Sequence, residues 1–333
     1  MSFTVWRCPN CMAELVDEVR SLRCPVCAEL YPVVGGVPDL RPTKRMRPSH
    51  HADRIRAEQL AAEMEHLTVE DLVVRVFHRP DHWTPAMGAA RVRRTLAQPQ
   101  ELRSDIRGWM AEAVPARGLF LDVGCGLGGL LSAAAIEGRP GIGIDQSLHL
   151  AVIARRMIAS YGGTPVVAAG FGECLPLAHG SVAGVTMQDV LEHVDSKDTV
   201  LREANRVLGP GGAVAIVVPN RFSVAAEPHV HLWGVGWLPR ALQRRYVWWR
   251  RRLPYDNTIL PSTWEVERLL RRNMPDLVWS LEPAPIPDAE VAHFSGRRAW
   301  LARTYNRLLR NRIASRLQLR FGASTRIIAR RPG

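Results

Sequence analysis

Three groups of residues have the types and spacing that chemistry needs. Cys8-Pro-Asn-Cys11 and Cys24-Pro-Val-Cys27 are two thiolate hooks separated by 12 residues. A two-residue gap lets both sulfurs of a hook reach one ion, so Cys8, Cys11, Cys24 and Cys27 can close a tetrahedral structural zinc site. A redox disulfide pair is the competing reading, and a chain without export features disfavours it. The second group is Leu119-Phe-Leu-Asp-Val-Gly-Cys-Gly-Leu-Gly-Gly-Leu-Leu131, an apolar strand that runs into a glycine cluster and opens a helix. Gly124, Gly126 and Gly128 lack side chains, so the backbone can turn sharply and approach a nucleotide at the strand's carboxyl end. Asp122 would repel a pyrophosphate and attract a ligand that carries positive charge. Asp145 ends the next apolar run, where a carboxylate can accept from both ribose hydroxyls, cap the helix that follows, or do both. The third group is Gln188-Asp189-Val-Leu-Glu192-His193. Asp189, Glu192 and His193 are spaced i, i+3 and i+4, hence on one face of a helical turn. His193 is the expected general base, oriented by Glu192 or Asp189.

These residues need a scaffold, and the pattern around them supplies one. Strands are expected near 118–123, 141–145, 165–169, 182–187 and 213–218, with helices between them. Such alternation predicts an α/β fold with a doubly wound, mostly parallel sheet and ligands at its carboxyl edge. Residues 41–52 mix prolines with bases and read as a linker. Helical spacing over Asp53–Phe77 and Gln100–Val114 predicts helices that pack over the cofactor cleft. His82-Trp83 between them reads as a surface histidine beside a core tryptophan, or as part of an acceptor pocket. After Pro219-Asn220 the chain enters a long insertion rich in Trp, Pro and Arg, expected to form a helical or irregular lid.

Asp122 to Gly128, Asp145, Leu175-Pro-Leu177 and Leu208-Gly-Pro-Gly-Gly212 together resemble the successive motifs of class I S-adenosylmethionine (SAM)-dependent methyltransferases. The resemblance covers about residues 100 to 220, with a weaker echo of the family's last strand at Phe321–Ala329. It implies a seven-stranded sheet and a SAM pocket formed by Asp122, Gly124, Gly126, Gly128, Asp145, Gln146, Phe171, Gly172 and Gln188. Two positions depart from the family pattern: Phe171 stands where an acid usually reads the adenine amino group, and Ala183 where an acid usually opens the fourth strand. Adenine would then be held by Phe171 packing and by backbone groups near Gly172. Residues 5–40 resemble the small zinc-ribbon modules that accompany methyltransferases acting on rRNA, tRNA, small molecules and glycans. The Asp189-x-x-Glu192-His193 turn resembles the divalent-metal ligands of ubiquinone-pathway O-methyltransferases and of small-RNA 2′-O-methyltransferases. The latter add a histidine after strand five, where this chain has His229 and His231. The same Leu-Glu-His-Val turn also occurs in family members without metal. The expected division is a ribbon at 1–40, linker and helical cap at 41–98, SAM-binding core at 99–220, lid insertion at 221–275, and strands and helix completing the sheet at 276–333.

Charge is unevenly spread. The net is +12, yet residues 228–333 hold 20 basic against 7 acidic side chains while residues 1–227 are close to neutral. Lys44 and Lys197 are the only lysines, so codon usage accounts for part of the arginine content but not for the thinning of acids. The stretch 238–252 interleaves Arg240, Arg244, Arg245 and Arg250 to Arg252 with Tyr246, Trp248 and Trp249. It fits phosphate binding with base or sugar stacking, an amphipathic helix on an anionic membrane, or a helix with aromatics packed inward and arginines solvated. No apolar run reaches the ~18 residues of a membrane span, and the start lacks a signal-peptide core, so a protein of the cytoplasm or of its membrane periphery is expected. The function expected is SAM-dependent O-methylation of a hydroxyl on a glycan, a lipid-linked sugar or another small molecule. The His193 turn, the aromatic-rich insertion and the lack of an Asn/Asp-Pro-Pro-Tyr amine-methylation motif support it. An rRNA or tRNA methyltransferase is the alternative, on the strength of the ribbon and the basic last third. A catalytically silent SAM-binding scaffold is the third reading.

Overall fold

The computed structural model describes residues 5–78, 84–256, 258–286, 291–292 and 294–332. His82-Trp83 lies outside the described residues. The chain divides into two compact units, one made of residues 1–186 and 202–214, the other of 187–201 and 215–332.

The first unit begins with a small antiparallel sheet. Its strands are β1 (Val16–Glu18), β2 (Ser21–Arg23), β3 (Leu30–Val34) and β4 (Val37–Pro38), in that spatial order. Trp6, Leu22, Tyr31 and Val37 are buried around it. The Leu40 N–H donates to the Ala169 carbonyl at 2.8 Å, and the Arg7 N–H to the Pro176 carbonyl at 2.9 Å. The ribbon is therefore stitched to the unit by backbone bonds at both of its ends.

Three helices follow, α1 (Pro48–Glu63), α2 (Val69–Phe77) and α3 (Pro85–Arg107). Apolar spacing over Asp53–Phe77 suggests one helix, but Thr68 breaks it in two. The Thr68 hydroxyl accepts the Asp71 N–H while the Asp71 carboxylate accepts the Thr68 N–H, a reciprocal cap that starts α2 afresh. The helix expected over Gln100–Val114 is the second half of α3 and stops at Gly108, after which Met110, Ala113 and Val114 turn into the core.

The nucleotide-type core comprises β5 (Phe120–Val123), α4 (Gly129–Ile136), β6 (Gly141–Asp145), α5 (Leu148–Ser160), β7 (Val166–Ala169), β8 (Val182–Gln188), α6 (Lys197–Val207) and β9 (Leu208–Pro219). Then come α7 (Arg240–Arg251), α8 (Thr263–Asn273), β10 (Val278–Pro283), α9 (Gly296–Leu308), α10 (Arg312–Phe321) and β11 (Ser324–Arg330). The seven-stranded sheet has the order β10-β11-β9-β8-β5-β6-β7. β5, β6 and β7 run parallel, with Val123 opposite Ile144 and Asp145 opposite Ala169. β10 and β11 pair antiparallel, Val278 opposite Arg330. Every residue of β5 is buried, as a continuous apolar run in a parallel sheet requires. Among the described residues no helix is long and apolar enough to cross a membrane.

Candidate functional site

The glycine loop leaves β5 and enters α4. Gly126 has φ +51, and a side chain placed there would meet nothing within 4 Å, so the loop borders open space at that residue. Gly128, at φ +81, serves packing instead: a side chain there would press on Ala154 of α5 at 3.0 Å. Asp122 is buried and accepts a hydrogen bond from the Thr186 hydroxyl at 2.7 Å. Burial, reinforced by the charge of Asp145 and opposed by the Thr186 bond, pushes its pKa up to about 7. A cation beside it would supply the missing compensation. Asp145 meets two backbone N–H groups. One oxygen accepts from Gly126 and the other from Ser147, each at 2.8 Å, so it ties the loop to the start of α5, whose N-cap is Ser147 rather than Asp145. A carboxylate has about four lone-pair positions, so acceptor capacity remains for a ligand's hydroxyls. Gln146 is exposed, Gly172 half-buried, and Gln188 half-buried at the end of β8. Thr186 escaped the sequence reading, although a hydroxyl in the apolar run Val-Ala-Gly-Val-Thr-Met is the signal that could have found it.

The residues read as a linker prove to be fixed. Arg41 is fully buried and clamps Asp39 through two bonds of 2.7 Å, Asp53 at 2.7 Å and the Gln146 carbonyl at 3.0 Å. Asp53 in turn accepts from the Ser147 hydroxyl, the Leu148 N–H and the His149 ring at 2.5–2.7 Å. Burial raises its pKa, but these donors and Arg41 outweigh that and hold the carboxyl well below the usual range. His50 on α1 sets its ring 5.0 Å from that of Phe171. Residues 39–53 thereby brace the start of α5 and flank Phe171.

In the second unit a different cluster forms. Asp189 follows β8 in a left-handed conformation, φ +53, with its N–H on the Val217 carbonyl at 3.0 Å. Such a conformation costs about 1–2 kcal/mol in a non-glycine residue. Glu192 is only 1% exposed, and neither carboxylate oxygen has a hydrogen-bond partner among the described residues. Glu192 therefore makes no hydrogen bond that would orient His193. Burial, then the charge of Asp189, pushes its pKa up to about 8. The His229 Nε2 lies 3.9 Å from Glu192 Oε1 and 3.1 Å from His193 Nε2. Ligand atoms of Glu192, His193 and His229 all fall within 4.8 Å of one another. His229 is held from behind. Its Nδ1 contacts Glu227 Oε1 at 2.6 Å, and Glu227 is buried, accepting also from the His229 and Val230 N–H groups and from the Tyr255 hydroxyl. The insertion positions this histidine through a core of Val230, Leu232, Val235, Val247 and Tyr255. Of the two histidines anticipated after strand five, His229 joins the cluster and His231 does not; His231 is exposed and its carbonyl accepts from Arg251. Glu227 and Tyr255 were not foreseen; an acid two residues before His229 is the only local clue.

Residues 121–216 match the family model described as a methyltransferase domain. Those residues therefore form a methyltransferase domain. Over 113 residues, 32% of this chain and 32% of the relative, it is 39% identical to an uncharacterized 37.1 kDa protein in transposon TN4556 of Streptomyces fradiae. Over 122 residues, 35% of this chain and 51% of the relative, it is 35% identical to the ubiquinone biosynthesis O-methyltransferase of Paracidovorax citrulli. These matches span about a third and a half of the relatives' lengths. A SAM-dependent methyltransferase structure from Mesorhizobium loti aligns over 68% of this chain and 96% of its own at 17% identity, with a TM-score of 0.46. The seven-stranded sheet has the doubly wound, mostly parallel order expected from the sequence, and Asp122, the glycine loop and Asp145 lie within the methyltransferase domain.

The four cysteines lie outside that domain and converge, their sulfurs all within 4.8 Å of one another. Cys8 Sγ is 3.5 Å from Cys27 Sγ and Cys11 Sγ 3.4 Å from Cys24 Sγ, so none is in a disulfide. The two hooks share one backbone form. Met12 N–H bonds to the Cys8 carbonyl at 2.7 Å and Ala28 N–H to the Cys24 carbonyl at 3.0 Å, both residues being left-handed, φ +63 and +58. Four thiols in this arrangement are compatible with zinc.

Proposed function

We propose that the protein is a SAM-dependent O-methyltransferase whose acceptor is a hydroxyl on a glycan, a lipid-linked sugar or another small molecule, activated at a divalent-metal centre of Glu192, His193 and His229. One observation carries this reading: a fully buried carboxylate with no hydrogen-bond partner sits beside two imidazoles, one of them braced by a second buried acid. A buried charge without a partner costs several kcal/mol, and a cation removes that cost. One oxygen and two nitrogens suit Mg²⁺, Mn²⁺ or Zn²⁺, and the Glu227 contact at Nδ1 is the outer support that metal-binding histidines use. A divalent ion held there would lower the pKa of an acceptor hydroxyl.

The chain's own groups divide the work. Asp122 supplies negative charge for the amino-acid end of SAM, and Asp145 offers its spare lone pairs to the ribose. Phe171, flanked by His50, gives the adenine an apolar wall. Glu227 meets His229 Nδ1 and so turns Nε2 toward His193 and the centre. As the O–CH₃ bond forms and the S–CH₃ bond breaks, S-adenosylhomocysteine leaves with the sulfur's electron pair and the acceptor's proton passes to solvent, so no group of the protein is covalently modified. The partial match to a ubiquinone biosynthesis O-methyltransferase supports oxygen as the acceptor atom. The cysteine hooks hold a structural zinc that fixes the ribbon.

The experiment is transfer of labelled methyl from SAM into fractionated cell extract, with metal analysis of the same preparations. Label should enter a small-molecule, glycan or lipid fraction and fall strongly in the His229→Ala protein, which should keep its ribbon zinc while losing a second metal. Label confined to RNA would sink the acceptor class. Transfer undiminished by His229→Ala would sink the metal centre while leaving methyl transfer intact.

A further inference from the structure

The helices α7, α9 and α10, all in the second unit, contain twelve arginines and no aspartate or glutamate. On α7 the buried face is Gln243 and Val247. The opposite face carries Leu242, Arg245, Trp248 and Trp249, with Arg252 at the end of the helix, and all five are exposed. Trp248 is 52% and Trp249 67% accessible, so the reading in which these aromatics pack inward does not describe them. The Arg250 guanidinium lies 5.3 Å from the Trp249 ring centre and that of Arg252 5.9 Å from the Trp248 ring. α9 exposes Arg297, Trp300, Leu301 and Leu308, and α10 exposes Arg312, Ile313, Arg316 and Leu317 while burying none of its residues.

We propose that α7 is a docking surface for an anionic phospholipid bilayer, with Leu242, Trp248 and Trp249 at the boundary of headgroups and acyl chains and the arginines on the phosphates. An apolar and aromatic face flanked by arginines is the composition that lies in a membrane interface, where indole rings sit at headgroup depth. The charge is complementary: α7 carries no acid, and while Arg240 pairs with Glu265 and Arg244 with Asp256, Arg245, Arg250 and Arg252 stand exposed on or beside the aromatic face. A nucleic acid would use the tryptophans, but the exposed Leu242 on the same face has no π face to offer a base. A second copy docked through the same face would set arginine against arginine. The inference concerns where the protein works and does not rest on the proposed reaction.

Co-sedimentation of the 333-residue chain with vesicles tests it without any methyl transfer. The protein should pellet with phosphatidylcholine vesicles containing about 30% phosphatidylglycerol, stay in solution with pure phosphatidylcholine, and be released by about 0.5 M salt. Arg245→Ala with Arg250→Ala should lower the partition coefficient about thirtyfold, by about 1 kcal/mol per arginine. Trp248→Ser with Trp249→Ser should lower it on the order of tenfold by removing exposed apolar area. All four side chains are exposed, so unchanged far-UV circular dichroism is expected and separates lost docking from lost folding. Partition that ignores anionic lipid, or that survives the tryptophan pair, overturns the proposal. So does tighter, tryptophan-dependent binding of a single-stranded RNA oligonucleotide, or self-association that the same substitutions abolish.

Discussion

Asp53 and Glu192 are both buried carboxylates, and their surroundings treat them in opposite ways. Asp53 is met by Arg41, Ser147, Leu148 and His149, and its pKa is held far down. Glu192 is met by no hydrogen-bond donor among the described residues, stands near Asp189, and has its pKa pushed up to about 8. Most buried polar groups in folded proteins are hydrogen-bonded. On the metal reading proposed above, a carboxylate left unsatisfied beside two imidazoles is held for an ion. The contrast then separates two jobs for one kind of side chain: Asp53 builds the fold, and Glu192 takes a ligand.

Substitution at each position should expose that difference. Glu192→Gln keeps shape and removes charge; turnover is expected to fall about 10²–10³-fold while thermal stability in metal-free buffer stays level or rises. A drop in stability matching the drop in activity would mean Glu192 is a structural residue like Asp53. Asp53→Asn should do the reverse. It breaks the link to Arg41, which retains Asp39, and should lower stability by about 2 kcal/mol in chemical denaturation. Methyl transfer per folded molecule should change little.

The two regions also differ in how far the sequence disclosed them. The cysteine hooks and the glycine loop depend on neighbours within a few residues, so spacing alone located them. The strand ladder followed from apolar runs bounded by turns, and the order Asp122, Asp145, Leu175-Pro-Leu177 and Leu208–Gly212 gave the sheet. Arg41 was misread as part of a linker because its partners Asp53 and Gln146 stand 12 and 105 positions away, and nothing in Arg-Pro-Thr-Lys-Arg signals burial. Glu227 was missed for a related reason. Its importance comes from the fold of the insertion, where the Glu227–Leu232 bridge and the Tyr255 hydroxyl fix it behind His229. The outward turn of Trp248 and Trp249 was open at the sequence level, because a helix of arginines and aromatics does not declare which face is covered.

Glu227 offers a finer test of the contrast, because it is satisfied like Asp53 yet belongs to the same cluster as Glu192. Glu227→Gln preserves a partner for His229 but removes the charge behind it. The expected result is a 10–100-fold weaker second metal, read by competition with a chelating dye, with the ribbon zinc unchanged. Unaltered metal affinity would show that Glu227 only stabilises the insertion.

The smallest effect expected is in the acid dependence of stability, and its sign follows from Asp53. Its folded pKa lies below the unfolded value of about 3.9, so the unfolded chain binds the proton more readily. The stability it contributes is complete above pH ~5 and is lost as pH falls through the folded value. Denaturation of the wild type and of Asp53→Asn at a series of pH values should therefore show a constant gap from pH ~7 to ~5, narrowing below pH ~4. A gap that stayed open in acid would mean that the loss in Asp53→Asn comes from packing rather than from charge. The Arg41 pair would then be a passive consequence of the fold, and the line drawn between Asp53 and Glu192 would have to rest on geometry alone.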